Sequence, residues 1–285
     1  MAVHAHPDDE SSKGAATMAR YAREGVDVVV VTCTGGEAGD ILNPGMDRRE
    51  IRENLARVRR DELVRAINIL GVRSIELGFH DSGFPEAPEG EPLPPLDPGS
   101  FAAQPLDVTA GALVEVVRRE RPHVLITYDE NGGYPHPDHI AVHQISMAAF
   151  EAAGDTDQFP GTGEPWQPQK LYYVQSWHKQ RIVALHEAML ARGLESPYEE
   201  RLAEWVDRAE EADRVTTMVQ CADYYDLRTQ ALLAHATQVE PPPHGWWFKI
   251  PVELQAEVWP TEDYQLARSL VETTLPEDDL FAGLR

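Results

Sequence analysis

Seven consecutive residues, Val26-Asp27-Val28-Val29-Val30-Val31-Thr32, constrain the fold of this chain more than any other stretch. β-Branched side chains packed this densely suit a strand covered on both faces, the situation of a central strand in a parallel sheet. The flanks agree with that placement. Met1 to Ala5 reads as the end of a short buried strand, and apolar periodicity from about Gly14 to Glu24, closed by Gly25, predicts a helix between the two strands. Strand, helix and strand in this order form a βαβ unit.

The alternation continues. Ile51, Leu55, Val58, Leu63, Ile67 and Leu70 trace one long helical stripe that stops at Gly71, and Ser74 to Leu77 supplies another short strand. Leu113, Val114, Val116 and Val117 predict a helix ahead of a strand from His123 to Tyr128, and His139 to Ala153 again reads as helix. This pattern predicts an α/β, Rossmann-like, mostly parallel sheet with helices on both faces. Between these elements, Phe84 to Pro105 carries Pro85, Pro88, Pro92, Pro94, Pro95, Pro98 and Pro105, a content that precludes regular structure. It is read as a long surface loop, either bordering a substrate cleft or serving as a spacer.

After Phe159 the pattern becomes mixed. A strand-like Lys170 to Gln175 precedes an acidic helical stretch, then a short strand near Val215 to Val219 and a helix from about Ala222 to Ala236. Glu199, Glu200, Glu204, Asp207, Glu210, Glu211 and Asp213 in the acidic stretch read as a solvated face. The expected organisation is a catalytic core over residues 1–160 and a smaller mixed α/β segment over 161–285, packed over the active-site edge within one compact domain.

Composition narrows the function. The 285 residues are 42% apolar and 26% charged, the profile of a soluble globular protein, and the formal charge of -23 argues against nucleic acid or an anionic membrane as partner. Cys33 and Cys221 are too few for a disulfide framework. No apolar run approaches the ~20 residues of a membrane span, and the first thirty residues lack a leader pattern. A cytoplasmic location is expected.

Two knots of chemistry stand out, His4-Ala5-His6-Pro7-Asp8-Asp9-Glu10 and Tyr134-Pro135-His136-Pro137-Asp138-His139. Each follows a predicted strand, and in open α/β sheets ligands bind beyond the carboxyl ends of the strands, so topology brings the two together. Neither knot alone offers the three protein ligands of a catalytic zinc, and their union does. Gly35-Gly36 lacks the Gly-x-Gly-x-x-Gly that opens a dinucleotide-binding helix, so the βαβ pattern carries no nicotinamide expectation.

His6-Pro7-Asp8-Asp9-Glu10 together with His136-Pro137-Asp138-His139 resembles the paired signatures of the LmbE-like, or PIG-L, metal-dependent amide hydrolases and N-deacetylases. Ser11-Ser12-Lys13-Gly14, Tyr128 to Tyr134 and His235-Ala236-Thr237-Gln238 extend the resemblance over most of the chain. It implies His6, Asp9 and His139 as ligands of Zn2+, donors that equally suit Fe2+. It further implies Asp8 as general base, His136 as partner of the developing oxyanion, Asp138 as the group orienting the His136 imidazole, and Tyr134 as donor of a phenolic hydrogen bond. Whether Asp8 or His136 protonates the leaving amine stays open.

The same resemblance matches Glu37, Arg59 and Asp81 to sugar-contacting positions, against plainer readings of Arg59 as a surface ion pair and Asp81 as a turn residue. Lys13 corresponds to a lysine that reaches the acyl-cysteine part of a larger substrate, against a solvated lysine at a helix start. His4 and His143 lie close enough to be mistaken for ligands and read as structural, and Glu10 reads as a cap or a support. Similar proteins usually carry several more residues ahead of the first motif, so either Met1 is not the natural start or the metal loop hangs from a shortened central strand. The implied substrate is a small-molecule thiol–sugar conjugate, cleaved at the amide between N-acylated cysteine and glucosaminyl-inositol in a detoxification reaction. Deacetylation of N-acetylglucosaminyl-inositol and an amidase of natural-product assembly are the alternatives within the family. A non-catalytic sugar-binding module is the alternative outside it, and the presence of Asp8 and His136 argues against that.

Overall fold

A computed structural model of the chain describes residues 1–87, 93–205 and 214–285. Its centre is a single seven-stranded sheet built from β1 (Ala2–His4), β2 (Val29–Thr34), β3 (Arg73–Phe79), β4 (Val124–Thr127), β5 (Lys170–Val174), β6 (Thr217–Gln220) and β7 (Thr261–Ser269), in the spatial order β3-β2-β1-β4-β5-β7-β6. From β3 through β5 every neighbouring pair is parallel, and β7 runs antiparallel to both β5 and β6. The mostly parallel α/β sheet expected from the sequence is therefore present.

The valine-rich strand forms with its start displaced. Val29 to Thr34 are all buried, while Val26 and Val28 sit half-buried in the turn that brings the chain back from the preceding helix. Pairing fixes this register: Ala2, Val3 and His4 oppose Val30, Val31 and Thr32, and Val29 opposes Arg73. Each Val buried here contributes roughly 1.5–3 kcal/mol.

Ten α-helices surround the sheet: α1 (Asp9–Ser12), α2 (Ala15–Arg23), α3 (Arg49–Arg52), α4 (Leu55–Leu70), α5 (Leu106–Glu120), α6 (Pro137–Ala152), α7 (Lys179–Ala191), α8 (Glu199–Ala203), α9 (Tyr225–Ala234) and α10 (Val252–Val258), counted among the described residues. Ala15 and Ala19 of α2, Ala66 and Leu70 of α4 and Ala231 of α9 form one buried cluster, small side chains that let three helices approach closely. α5 packs on α6, and right-handed crossovers place that pair on the opposite face. The single long helix expected from Ile51 to Leu70 is split into α3 and α4, because Asn54 turns its side-chain amide onto the carbonyl of Glu50 (2.8 Å), a local bond that competes with helix continuation. Gly71, at φ 75°, ends α4 as expected.

The chain builds β1, β2 and β3 outward in one direction, then returns to place β4 on the other side of β1. That reversal opens a crevice beyond the carboxyl ends of β1 and β4. The proline-rich loop leaves this edge and comes back to it: His80 bridges to Ser100, and Phe101, buried in a short helical turn, lies against Phe79 at 5.2 Å between ring centroids. Pro88 and Pro92 of that loop lie outside the described residues.

After Phe159 the chain adds β5, β7 and β6 to the same sheet, and Leu171, Tyr172 and Tyr264 join the core formed by β1, β2 and β4. Three elements here were not anticipated. α7 and α10 enclose a separate apolar cluster with Ile182, Leu185, Met189 and Leu254, and β7 carries Glu262 and Asp263 into buried positions where no apolar alternation announces a strand. Of the acidic stretch, Glu199 and Glu200 lie in α8 and are exposed, whereas Asp207, Glu210, Glu211 and Asp213 lie outside the described residues. The terminal segment is clasped to α2, with Tyr21 Oη donating to Asp279 Oδ1 (2.7 Å) and the Leu280 amide donating to Tyr21 Oη (2.9 Å).

Candidate active site

The first motif folds into a helical turn. After β1 the chain turns sharply and Asp9 to Ser12 form α1, with Asp8 just ahead of it at φ 121° and ψ -24°. A non-glycine residue there costs of order 1–3 kcal/mol and persists only where neighbours hold it. Glu10 does so: its Oε2 accepts the Asp8 amide (2.9 Å), while its Oε1 accepts the Ser11 hydroxyl and lies 2.7 Å from His235 Nε2. The arrangement points Asp8 into the cleft, its side chain 28% exposed where that of Asp9 is 4% exposed. Burial raises the Asp8 carboxyl above its ordinary value, against the pull of Arg59.

His6, Asp9 and His139 each bring a donor atom within 4.8 Å of the other two. Asp9 Oδ2 lies 3.4 Å from His139 Nε2 and 3.6 Å from His6 Nδ1, and it accepts the His6 amide at 2.9 Å. His139 Nδ1 faces the Gly132 carbonyl at 2.9 Å, which fixes the proton on Nδ1 and leaves Nε2 as a lone-pair donor. That Nε2 is buried with no hydrogen-bond partner among the described residues. A buried orphan of this kind calls for an explanation, and a cation between two imidazoles and a carboxylate supplies one. Charge agrees, because Asp9, Asp81 and Asp138 all crowd His6 and outweigh the burial that would lower its pKa, holding it well above the ordinary value.

A second set, His6, Asp81 and His136, is equally compact. Two of its nitrogens are bonded to Asp138: His6 Nε2 contacts Asp138 Oδ2 at 3.1 Å, and His136 Nδ1 accepts the Asp138 amide at 3.1 Å. The latter bond corrects one expectation. The Asp138 carboxylate does not orient the His136 imidazole; the Asp138 backbone amide does, because His136 caps α6 and the free amide two residues on points at the cap. The carboxylate instead takes His6 Nε2 and the Ser82 amide (3.0 Å). With Nδ1 accepting, neutral His136 carries its proton on Nε2. Burial and the charge on His6 push its pKa down to about 4.

Tyr134 is 44% exposed and its ring lies 4.4 Å from that of His139 and 6.0 Å from that of His136. Burial and the neighbouring carboxylates Asp9 and Asp8 raise its phenol, which stays protonated. Lys13 is no solvated lysine: its Nζ donates to Asp9 Oδ1 at 2.5 Å and to Ser12 Oγ at 3.2 Å, and it stands over the rings of Tyr128 and Tyr134. Asp81 holds a turn through the Gly83 amide (2.9 Å) and also faces His6 Nε2 at 3.5 Å. Glu37 Oε1 pairs with His80 and accepts the Asp81 amide at 3.1 Å. Arg59 is buried, not a surface ion pair; it ties two loops together by donating to the carbonyls of Gly36 (2.8 Å) and Pro7 (2.6 Å), with Nη2 3.6 Å from Asp8 Oδ1.

All eleven expected site residues are thus brought together at the carboxyl ends of the central strands. His4 and His143 stay outside the cation-sized groups found among the described residues: His4 Nδ1 faces the Tyr128 hydroxyl at 3.0 Å and His143 Nδ1 the Tyr128 carbonyl at 3.1 Å. Sequence reasoning missed Tyr128, whose ring stacks on His139 at 4.4 Å and 13°, and His80. The position of Tyr128 at the end of β4 was the available signal for the first; nothing in the sequence marks the second.

A family model described as PIG-L, GlcNAc-PI de-N-acetylase, matches residues 1–150, which span both motifs. The chain belongs to the PIG-L family. Among its relatives, the mycothiol S-conjugate amidase of Streptomyces coelicolor is 58% identical over 100% of this chain and 97% of its own length. A 1D-myo-inositol 2-acetamido-2-deoxy-alpha-D-glucopyranoside deacetylase of Rhodococcus jostii is 37% identical over 99% of this chain and 97% of its own. In fold, N,N'-diacetylchitobiose deacetylase from Pyrococcus horikoshii superposes with a TM-score of 0.61, covering 93% of this chain and 82% of that one at 16% identity.

Proposed function

We propose that the protein is a zinc-dependent amidase that hydrolyses mycothiol S-conjugates at the amide between acylated cysteine and glucosaminyl-inositol, releasing an N-acetylcysteine S-conjugate and the amino sugar. One observation carries the chemistry: His139 Nε2 is buried without a hydrogen-bond partner among the described residues, its ring held by the bond from Nδ1 to Gly132, and it faces Asp9 and His6. The family supports amide hydrolysis, and the full-length likeness to a mycothiol S-conjugate amidase supports the substrate.

His6, Asp9 and His139 would hold the ion, and the same donors suit Fe2+. The chemistry such an ion supplies is Lewis acidity toward water and toward an amide carbonyl. Asp8 takes the proton of the attacking water, a task for which a raised carboxyl pKa is suited. His136, neutral and protonated at Nε2, donates to the oxyanion as the carbonyl carbon becomes tetrahedral, and the Tyr134 phenol adds a second donor. Asp138 holds His136 through its amide and His6 through its carboxylate. When the C–N bond breaks, the departing amine takes a proton from Asp8 or His136. Glu37, Asp81 and Arg59 form the polar wall that receives the sugar, and Lys13 stands on the acyl side.

The rival reading is deacetylation of N-acetylglucosaminyl-inositol, which the 37% identical relative favours. Mass-spectrometric turnover of a mycothiol S-conjugate and of N-acetylglucosaminyl-inositol, in wild type and Lys13→Ala, decides between them. A preference for the conjugate that Lys13→Ala erodes is the expected result; a wild-type preference for the acetyl substrate overturns the reading. Two buried, unpaired cysteines suit the reducing cytoplasm as the place of action.

A further inference from the structure

A cavity of about 210 Å³ opens on the same carboxyl edge of the sheet, on the side of β5 and β7. β5 ends there at Val174, and β7, running the opposite way, begins there at Thr261. Ser12 is the wall it shares with the site: its hydroxyl donates to the Asp9 carbonyl (3.3 Å) and accepts from Lys13 Nζ (3.2 Å).

The far wall is aromatic. The Trp177 ring lies 5.1 Å from Trp246 and 5.9 Å from Trp247, and Tyr198 lies 6.1 Å from Trp246. Carboxylates at the rim are already satisfied, Glu262 by the amides of Ala16 and Thr17 and Asp263 by His178, Trp259 and Thr261. Two guanidinium groups also line the cavity: Arg181, whose buried Nε has no hydrogen-bond partner among the described residues, and Arg228, buried and bonded to Gln255. The space therefore offers π faces and cation edges, surroundings that suit a flat aromatic group.

The crevice is thus asymmetric. On the β2 and β3 side stand Glu37, His80 and Asp81, which suit hydroxyls; on the β5 and β7 side stands this aromatic box. An amide cleaved between the two has its sugar amine on one side and its acyl cysteine on the other. We infer that the cavity is the subsite for the sulfur-linked group of the conjugate, and that it selects aromatic substituents. This inference rests on the amidase reading.

Trp246, at the rim and 37% exposed, can be replaced without hollowing the core. The test measures kcat/KM of wild type, Trp246→Phe and Trp246→Ala on S-naphthylmethyl mycothiol and S-methyl mycothiol. Trp246→Ala should lose about 10- to 30-fold on the naphthylmethyl conjugate, through KM, and less than about twofold on the methyl one, with Trp246→Phe keeping most of the preference. Equal loss on both conjugates, or loss on neither, overturns the assignment. Calorimetric titration of wild type with S-naphthylmethyl- and S-methyl-N-acetylcysteine reads the cavity without turnover: tighter binding of the aromatic ligand by about tenfold supports the subsite, and equal affinity overturns it. If wild type hydrolyses neither conjugate, the amidase reading fails and the titration alone decides the cavity.

Discussion

His235 Nε2 lies 2.7 Å from Glu10 Oε1, both side chains fully buried, and the other oxygen of Glu10 receives the amide of Asp8. A residue 225 positions away in sequence thereby steadies the backbone that aims the proposed base. Removing one partner of such a pair leaves a buried charge uncompensated. His235→Ala should lower stability by about 3–5 kcal/mol, read from chemical unfolding curves. A loss below ~1 kcal/mol would show that Glu10 is held by other means.

Asp8 and His139 should separate chemistry from metal binding. Asp8→Ala is expected to keep about stoichiometric zinc and lose most hydrolysis, while His139→Ala loses zinc affinity by about 100-fold or more. Metal analysis of the two purified variants checks this. Loss of metal in Asp8→Ala, or its retention in His139→Ala, exchanges their roles.

Lys13 competes with any cation for Asp9. Against burial, the Lys13 ammonium helps to hold the Asp9 carboxyl well below its ordinary value. Lys13→Ala should therefore bind zinc several-fold to about tenfold more tightly, measured by competition with a chromophoric chelator. Weaker zinc binding in this variant is the result that contradicts the argument.

Arg59 and Gly36 should behave as one unit. A Cβ on Gly36, already at φ 67°, would lie 2.4 Å from Arg59 Cζ. Lysine at position 59 cannot span the carbonyls of both Gly36 and Pro7. Gly36→Ala and Arg59→Lys should each lower kcat by about 10- to 100-fold with zinc retained. Wild-type rates in either variant refute the coupling.

Asp279 gives the clasp on α2 an acid limit. Burial works against its charge, but the Phe281 amide, the Tyr21 hydroxyl and Arg285 prevail and keep its carboxyl below the ordinary value. A pKa depressed by folding adds stability above the unfolded value of about 4 and loses it as pH falls through the folded one. The difference in Tm between wild type and Asp279→Asn should shrink on going from pH 6 toward pH 3. A difference that stays constant over that range would falsify the assignment.

The parallel core was legible because its signals are local: valines for β2, Gly71 for the end of α4, and histidines and aspartates at two strand ends. The place of the metal-sized group was legible for the same reason, since its members sit in two short motifs, while the choice of His6, Asp9 and His139 among their histidines and aspartates came from the family resemblance. What the sequence hid is settled by tertiary contact. β7 buries Glu262 and Asp263 by satisfying them with the amides of α2 and with His178, Trp259 and Thr261, so no apolar alternation betrays it. Asp138 was expected to act on His136 through its carboxylate, and only the helix start at Pro137 reveals that the amide does so. His235 was visible as part of a motif, but its bond to Glu10 spans nearly the whole chain.

The direction of β7 has a further consequence. Had that strand run parallel to β5, Thr261 to Asp263 would emerge at the amino edge of the sheet, remote from Ser12. Reversed, it delivers them beside the crevice, and the stretch it closes between β5 and β7 carries both the aromatic wall and His235. Substitutions at Trp177, Trp246 and Trp247 can reshape what the proposed acyl side accepts while β1, β4 and their two motifs stay untouched. Breadth toward different acyl groups and constancy of the hydrolytic step thus share one length of chain, whose aromatic positions can drift while His235 holds the brace on Glu10.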